Sequence, residues 1–173
     1  MKVNKAIVFK YCIFAVLMIL LILLAWVLSP LLAGISVLFG VKRLPLGLQW
    51  FSTVDDTLDG GQKQHPEKYP AAARGVPLWW QRTCWICRNP AQGFGVYAFG
   101  YSMSSSYMES EVAEGDATTK IYILGNGERI FSYQRNVPLW GKIYVKIWFG
   151  WAKKTNILRY SLKVVPFSFG TQK

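Results

Sequence analysis

Tyr11-Cys-Ile-Phe-Ala-Val-Leu-Met-Ile-Leu-Leu-Ile-Leu-Leu-Ala-Trp-Val-Leu28 contains no charged residue, and the charge-free run continues to Val41. At about 1.5 Å per residue, Tyr11–Leu28 would form a helix of roughly 27 Å, close to the hydrocarbon thickness of a bilayer. An amphipathic soluble helix keeps a polar face, and this stretch has none. Lys2, Lys5 and Lys10 precede it in the manner of a signal peptide. The apolar run nevertheless exceeds an h-region of about 7–15 residues, and no small-x-small cleavage site comes after it. The expected element is an uncleaved membrane anchor.

Flanking charge bears on orientation. Three lysines precede the run and only Lys42 and Arg43 come closely after it, which favours a cytoplasmic N-terminus and, for a single crossing, a periplasmic remainder. Ser29-Pro30 opens the alternative of a kink or a second arm over Leu31–Val41. At about 17 Å that arm is too short to recross, and as a re-entrant segment it would return the chain to its starting side. The headgroup zone is expected at Lys10, Trp26, Lys42, Arg43, Trp50 and Phe51, where cations and aromatic rings flank the apolar run.

Residues 1–43 therefore read as the anchor, 44–76 as a juxtamembrane segment and Gly/Pro-rich linker, and 77–173 as one small domain. Five of the 20 Lys and Arg lie at or before Arg43, leaving 15 against all nine Asp and Glu of the chain. A basic domain beside a bilayer is attracted to anionic lipid, and nucleic acid is the other usual acidic partner.

Pro77 opens an expected helix over Leu78–Asn89, stopped by Pro90. Trp79, Trp80, Cys84, Ile86 and Cys87 share one arc, which is expected to pack under a sheet, a position at the membrane surface being the alternative. Gln81, Arg82, Arg88 and Asn89 fall on the opposite arc, and Leu78 and Trp85 break the pattern. Beyond Gly93 the period becomes two. Strands are expected over Phe94–Met103, Lys120–Leu124, Glu128–Gln134, Lys142–Ala152 and Ile157–Val165, with Glu109–Asp116 as an acidic loop. Asn126-Gly127 suggests a type I′ hairpin. The fold class is a membrane-anchored α+β protein with a five-stranded antiparallel meander.

Alternation sorts the later strands into two faces. Ile143, Val145, Ile147, Phe149 and Trp151 oppose Lys142, Tyr144, Lys146 and Trp148. Leu158, Tyr160, Leu162 and Val164 oppose Arg159, Ser161 and Lys163, and Lys120 and Tyr122 extend the basic-aromatic set. Such a face suits lipid phosphates or a protein partner, and also single-stranded nucleic acid, where rings stack and lysines neutralise phosphate. The bland reading is a solvated sheet surface. With an anchor present, lipid is the more economical partner.

Other motifs carry less. Cys84-Trp-Ile-Cys87 has redox or zinc spacing, but zinc needs further ligands, Cys12 lies in the apolar run, and the lone His65 has no companion. Asp55-Asp-Thr-Leu-Asp-Gly60 begins like a calcium loop and fails where Pro66 replaces the bidentate Glu. With one His, no Gly-x-Ser-x-Gly and no phosphate loop, no enzyme activity, metal or cofactor is expected.

Gln49-Trp-Phe-Ser-Thr-Val-Asp-Asp-Thr-Leu-Asp-Gly-Gly61, Trp85-Ile-Cys-Arg-Asn-Pro-Ala91 and Phe149-Gly-Trp-Ala-Lys153 come after the N-terminal apolar run. Together they resemble a family of uncharacterised small membrane proteins of tailed phages and prophages. Val54 stands where those proteins often carry Pro, and the cysteines lie outside the shared pattern. The resemblance implies a bacterial host, an inner-membrane location and a phage accessory role, and it transfers no catalytic residue. The leading expectation is a non-enzymatic accessory protein binding lipid or an envelope protein. A membrane-tethered nucleic-acid binder and a holin-like pore former are the alternatives.

Overall fold

The computed structural model describes residues 5–45, 47–53, 57–59, 61–63, 66–67, 69–141 and 143–171. Lys2, Val54, Asp55, Asp56, Gly60, His65 and Lys142 lie outside the described residues. The architecture is α+β: a long apolar helix, a short helix and an antiparallel sheet. Two compact units form, one from residues 1–17 with 95–173 and the other from residues 18–94.

Helix α1 runs unbroken over Lys5–Leu38 and passes through Pro30. No second arm begins there. Pro30 has no N–H to give the carbonyl of Trp26 one turn earlier, but the Ser29 hydroxyl donates to that carbonyl at 2.8 Å. The acceptor orphaned by proline is satisfied and the helix continues.

In the 18–94 unit, side-chain hydrogen bonds tie α2 (Gly75–Arg88) to α1. The indole N–H of Trp79 donates to the Pro30 carbonyl at 2.8 Å, and that of Trp26 donates to the Cys87 carbonyl at 3.1 Å. The burial pattern of α2 departs from the expected one in part: Ile86 is buried and Arg88 exposed as expected, but Gln81, Arg82, Thr83 and Trp85 are buried as well, while Trp80 is 59 % exposed. Arg82 accounts for its own inward turn. Its guanidinium donates to Ser36 Oγ at 2.9 Å and to the Val41 carbonyl at 3.0 Å, so it serves the C-terminal end of α1 from inside the unit.

Among the described residues, the other unit holds six strands, one more than expected: β1 Tyr101–Ser102, β2 Tyr107–Glu114, β3 Ala117–Ile123, β4 Arg129–Pro138, β5 Ile143–Lys154 and β6 Arg159–Thr171. Their order is β1-β6-β5-β4-β3-β2. Two expectations fail locally. The acidic run is strand β2, because an edge strand exposed to solvent tolerates charges and Gly115 (φ 59°) makes a two-residue turn into β3. Phe94–Ala98 is a π-helical turn, and only Tyr101 and Ser102 of the expected first strand join the sheet. There the backbone carbonyls serve side chains instead of a ladder: Arg159 donates to Val96 and Trp151 to Phe99. The hairpin at Gly125-Asn126-Gly127 forms as expected in place but not in type. Only Gly127 has positive φ (80°), and its N–H closes on the Leu124 carbonyl at 2.8 Å.

The sheet coils. β1 and β2 occupy opposite edges yet are joined by residues 103–106 alone. That link reaches roughly 18 Å at most. Outer strands of a flat six-stranded sheet would stand about 24 Å apart. Closure at this end brings the Tyr122 and Tyr160 rings to 4.9 Å although β4 and β5 lie between their strands, and sets Ser106 Oγ 3.1 Å from the Tyr160 hydroxyl. Tyr11 of α1 makes edge contacts with Phe131, Phe149 and Trp151, which share one face of the sheet, and donates its hydroxyl proton to the Lys163 carbonyl at 3.0 Å.

Candidate functional site: a basic-aromatic groove

Register carries the predicted face into one place. Directly paired residues share a face, so Lys120, Ser132, Gly150 and Lys163 form one row across β3 to β6. Thr118, Gln134, Trp148 and Val165 form the next, and Lys146 stands two residues from Trp148 on the same side. Over these rows lies a groove of about 320 Å³, lined among others by Glu111, Lys120, Tyr122, Ser132, Trp148 and Lys153.

Trp148 is its centre. The indole N–H donates to Ser132 Oγ at 3.2 Å, which holds the ring upright. Lys146 Nζ lies 4.1 Å and Lys163 Nζ 5.6 Å from the ring centroid, so two ammonium groups converge on one indole. Burial pushes the Lys146 ammonium below the ordinary lysine range, since its charged form has lost water. Lys120 differs. Its pKa is raised by the hydrogen bond to Glu111, with which it pairs at 2.9 Å. Burial likewise raises the Tyr122 phenol, with Lys120 opposing. The Lys120–Glu111 pair thus lines the groove itself, while Lys146 and Lys163 stand beside it over the Trp148 ring.

The remaining expected residues lie elsewhere. Arg159 is drawn away to the Val96 carbonyl at 3.0 Å and the Tyr97 ring at 5.3 Å. Tyr144 sits half-buried opposite Pro138 and Gly170, further along the strand. Of the expected headgroup residues, Lys10 pairs with Glu128 at 2.7 Å and lies over the Tyr101 ring. Trp26 is 49 % exposed, and Lys42 and Arg43 are exposed. Trp50 is half-buried, and Phe51 is buried with its ring 5.0 Å from that of Phe94. Burial raises the Cys84 thiol, the opposite of what a redox nucleophile needs. Among the described residues no cluster of His, Cys, Asp and Glu is arranged to hold a metal.

Sequence reasoning misses Lys153 and Ser132. Lys153 reads as a turn residue, and β5 in fact runs on to Lys154. Ser132 carries no signal until register sets it beside Trp148. A plainer signal does exist: residues 129–173 contain nine Lys or Arg and no Asp or Glu. Every carboxylate of the sheet unit belongs to β2, the turn after it, or Glu128.

The chain belongs to a family of unknown function (DUF7338), whose model matches residues 1–169. No curated protein and no solved structure matches it.

Proposed function

We propose that this member of a family without known function is a non-enzymatic, membrane-anchored accessory protein of phage or prophage origin, whose basic-aromatic face around Trp148 binds anionic phospholipid headgroups. The observation that carries the binding role is the convergence of Lys146 and Lys163 on Trp148 within the acid-free stretch 129–173. Aromatic rings beside cations suit the phosphate level of a bilayer. The anchor reading rests on α1, which is long and apolar enough to cross a membrane.

The contacts of Lys10, Tyr11 and Phe14 refine that reading. Phe14 lies 5.1 Å from Phe99, and Lys10 and Tyr11 bond Glu128 and Lys163. Strand backbone cannot enter hydrocarbon at an open sheet edge. The lipid-facing part of α1 therefore begins beyond Phe14, and the 24 residues from Ala15 to Leu38 still give about 36 Å. The N-terminal turns and the sheet lie on one side. Whatever path residues 39–94 take, the chain ends on the side where it began. With Lys2, Lys5 and Lys10 at the N-terminus, we place that side in the cytoplasm, against the periplasmic expectation for a single crossing.

Two measurements test this. Green fluorescent protein fused after Lys173 should fluoresce in a bacterial host and alkaline phosphatase there should be inactive; the reverse would overturn the topology. Native mass spectrometry of the detergent-extracted chain should show retained anionic phospholipid in preference to zwitterionic lipid. At roughly 1 kcal/mol per charge, neutralising Lys146 and Lys163 to Gln should weaken retention about thirtyfold. Unchanged retention, or displacement of lipid by single-stranded DNA with a steep salt dependence, would defeat the lipid assignment.

A further inference from the structure

We infer that the end of the sheet remote from its closed end is a second lipid contact, a wedge of aromatic side chains that enters an anionic bilayer surface. This rests on the membrane location proposed above. β3 meets β4 no further than Ala117 opposite Arg135. β4 and β5 continue to Pro138 opposite Tyr144, and β5 and β6 to Ile143 opposite Thr171. The last part of β4, the first part of β5 and the last part of β6 therefore form a three-stranded extension that outruns β2 and β3. On it Leu139 is 46 %, Trp140 73 %, Phe167 68 % and Phe169 69 % exposed. Val137 and Phe169 both pair with Val145, which puts more apolar surface on one face.

Four large apolar side chains concentrated at one end of a sheet are costly in water and mark an interaction surface. The chemistry around them selects the occupant. No carboxylate side chain occurs after Glu128, and Lys146 stands on the extension itself. Indole and phenyl rings capping a cationic element match the layer where hydrocarbon meets phosphate. A second copy of the chain is the competing occupant, because β1 pairs with β6 only at Arg159 and Tyr160 and leaves a longer edge. That edge is poorly built for pairing: Pro166 offers no N–H, and two copies would oppose their acid-free segments. Charge complementarity favours lipid.

The test uses the full chain with Cys12, Cys84 and Cys87 changed to Ala and one new cysteine carrying an environment-sensitive fluorophore. Leu139→Cys reports the wedge with Trp140 intact, and Thr155→Cys at the closed end is the reference. The protein is reconstituted into nanodiscs of phosphatidylcholine alone or with phosphatidylglycerol. Emission from position 139 should shift to the blue and be quenched by spin-labelled lipid in the anionic discs, while position 155 stays water-like. Adding Trp140→Ser should reverse most of the shift. Equal, water-like emission at both positions overturns the wedge. So does a shift that depends on protein concentration in neutral discs, which would assign the surface to a second copy, or one that appears only with single-stranded DNA. Co-flotation of the chain with vesicles is scored separately. If it fails, the anchor reading falls; if it holds while position 139 stays wet, only the wedge does. Should Leu139→Cys disturb folding, Phe169→Cys gives the same readout.

Discussion

The two ends of the sheet are built from similar residues and spend them differently. At the closed end, Trp151 is fully buried, Tyr160 is 1 % exposed and Ile130 1 % exposed, and the coil of the strands covers them. At the open end, Trp140, Phe167 and Phe169 face solvent. The difference lies in the connections between strands. Residues 103–106 tie one edge to the other and force curvature, whereas the β4–β5 turn at Leu139–Ile143 ties only neighbouring strands. Aromatic content alone does not decide whether a surface is core or contact; chain connection does.

Truncating matched tryptophans should break the comparison most sharply. Trp151→Ala should cost about 3–5 kcal/mol. Trp140→Ala should stay within about 0.5 kcal/mol. Denaturant unfolding of the full chain in mild detergent reads both, and equal costs would mean that the open end is covered within the protein. Glycines give the next test. Gly150 has φ 89°, and a methyl there would meet the Phe131 carbonyl oxygen, whereas Gly141 at φ 56° in the open turn has nothing nearby. Gly150→Ala should cost about 2 kcal/mol or more, through collision and strain together. Gly141→Ala should cost about 1 kcal/mol, through strain alone.

Docking of α1 on the sheet is a smaller effect. Tyr11→Phe leaves the Lys163 carbonyl without its donor and should cost about 1 kcal/mol. The half-exposed Lys10–Glu128 pair should contribute about 0.2–1 kcal/mol in a double-mutant cycle and fade with added salt. Lys146 gives the smallest signal. Its folded pKa lies below the unfolded one, so the unfolded chain holds more protons between the two values. Stability should therefore rise as pH climbs from neutrality through the folded value towards the ordinary lysine range. Lys146→Met should flatten that rise in denaturation midpoints; an unchanged slope would assign it to other groups.

Much of the sheet was legible. Alternation along β5 places Lys146 and Trp148 on one face before any register is known, because side chains in a strand alternate whatever their partners, and the pairing of Lys163 with Gly150 then brings β6 to the same face. Arg159 shows the limit: alternation assigns it to the same face, but a long side chain goes where an acceptor waits, and Val96 offers one. The acidic run of β2 was illegible for a related reason. Charges depress strand propensity on average, yet an exposed edge welcomes them. On α2 the helical wheel is right about Ile86 and Arg88 and wrong about Trp80, Gln81 and Arg82, since Arg82 finds the end of α1.

By itself, the sequence determined the long apolar helix, the antiparallel β-rich remainder, most turn positions and the charge-free and acid-free runs. These depend on neighbours within a few residues or on composition, so local rules reach them. Only the tertiary structure decided the sixth strand, the coil that separates a closed end from an open one, the inward turn of Arg82 and the docking of Tyr11 against Lys163. Each depends on a partner far along the chain, such as Ser36 for Arg82 or Lys163 for Tyr11, and no local pattern records which distant acceptor a side chain will meet.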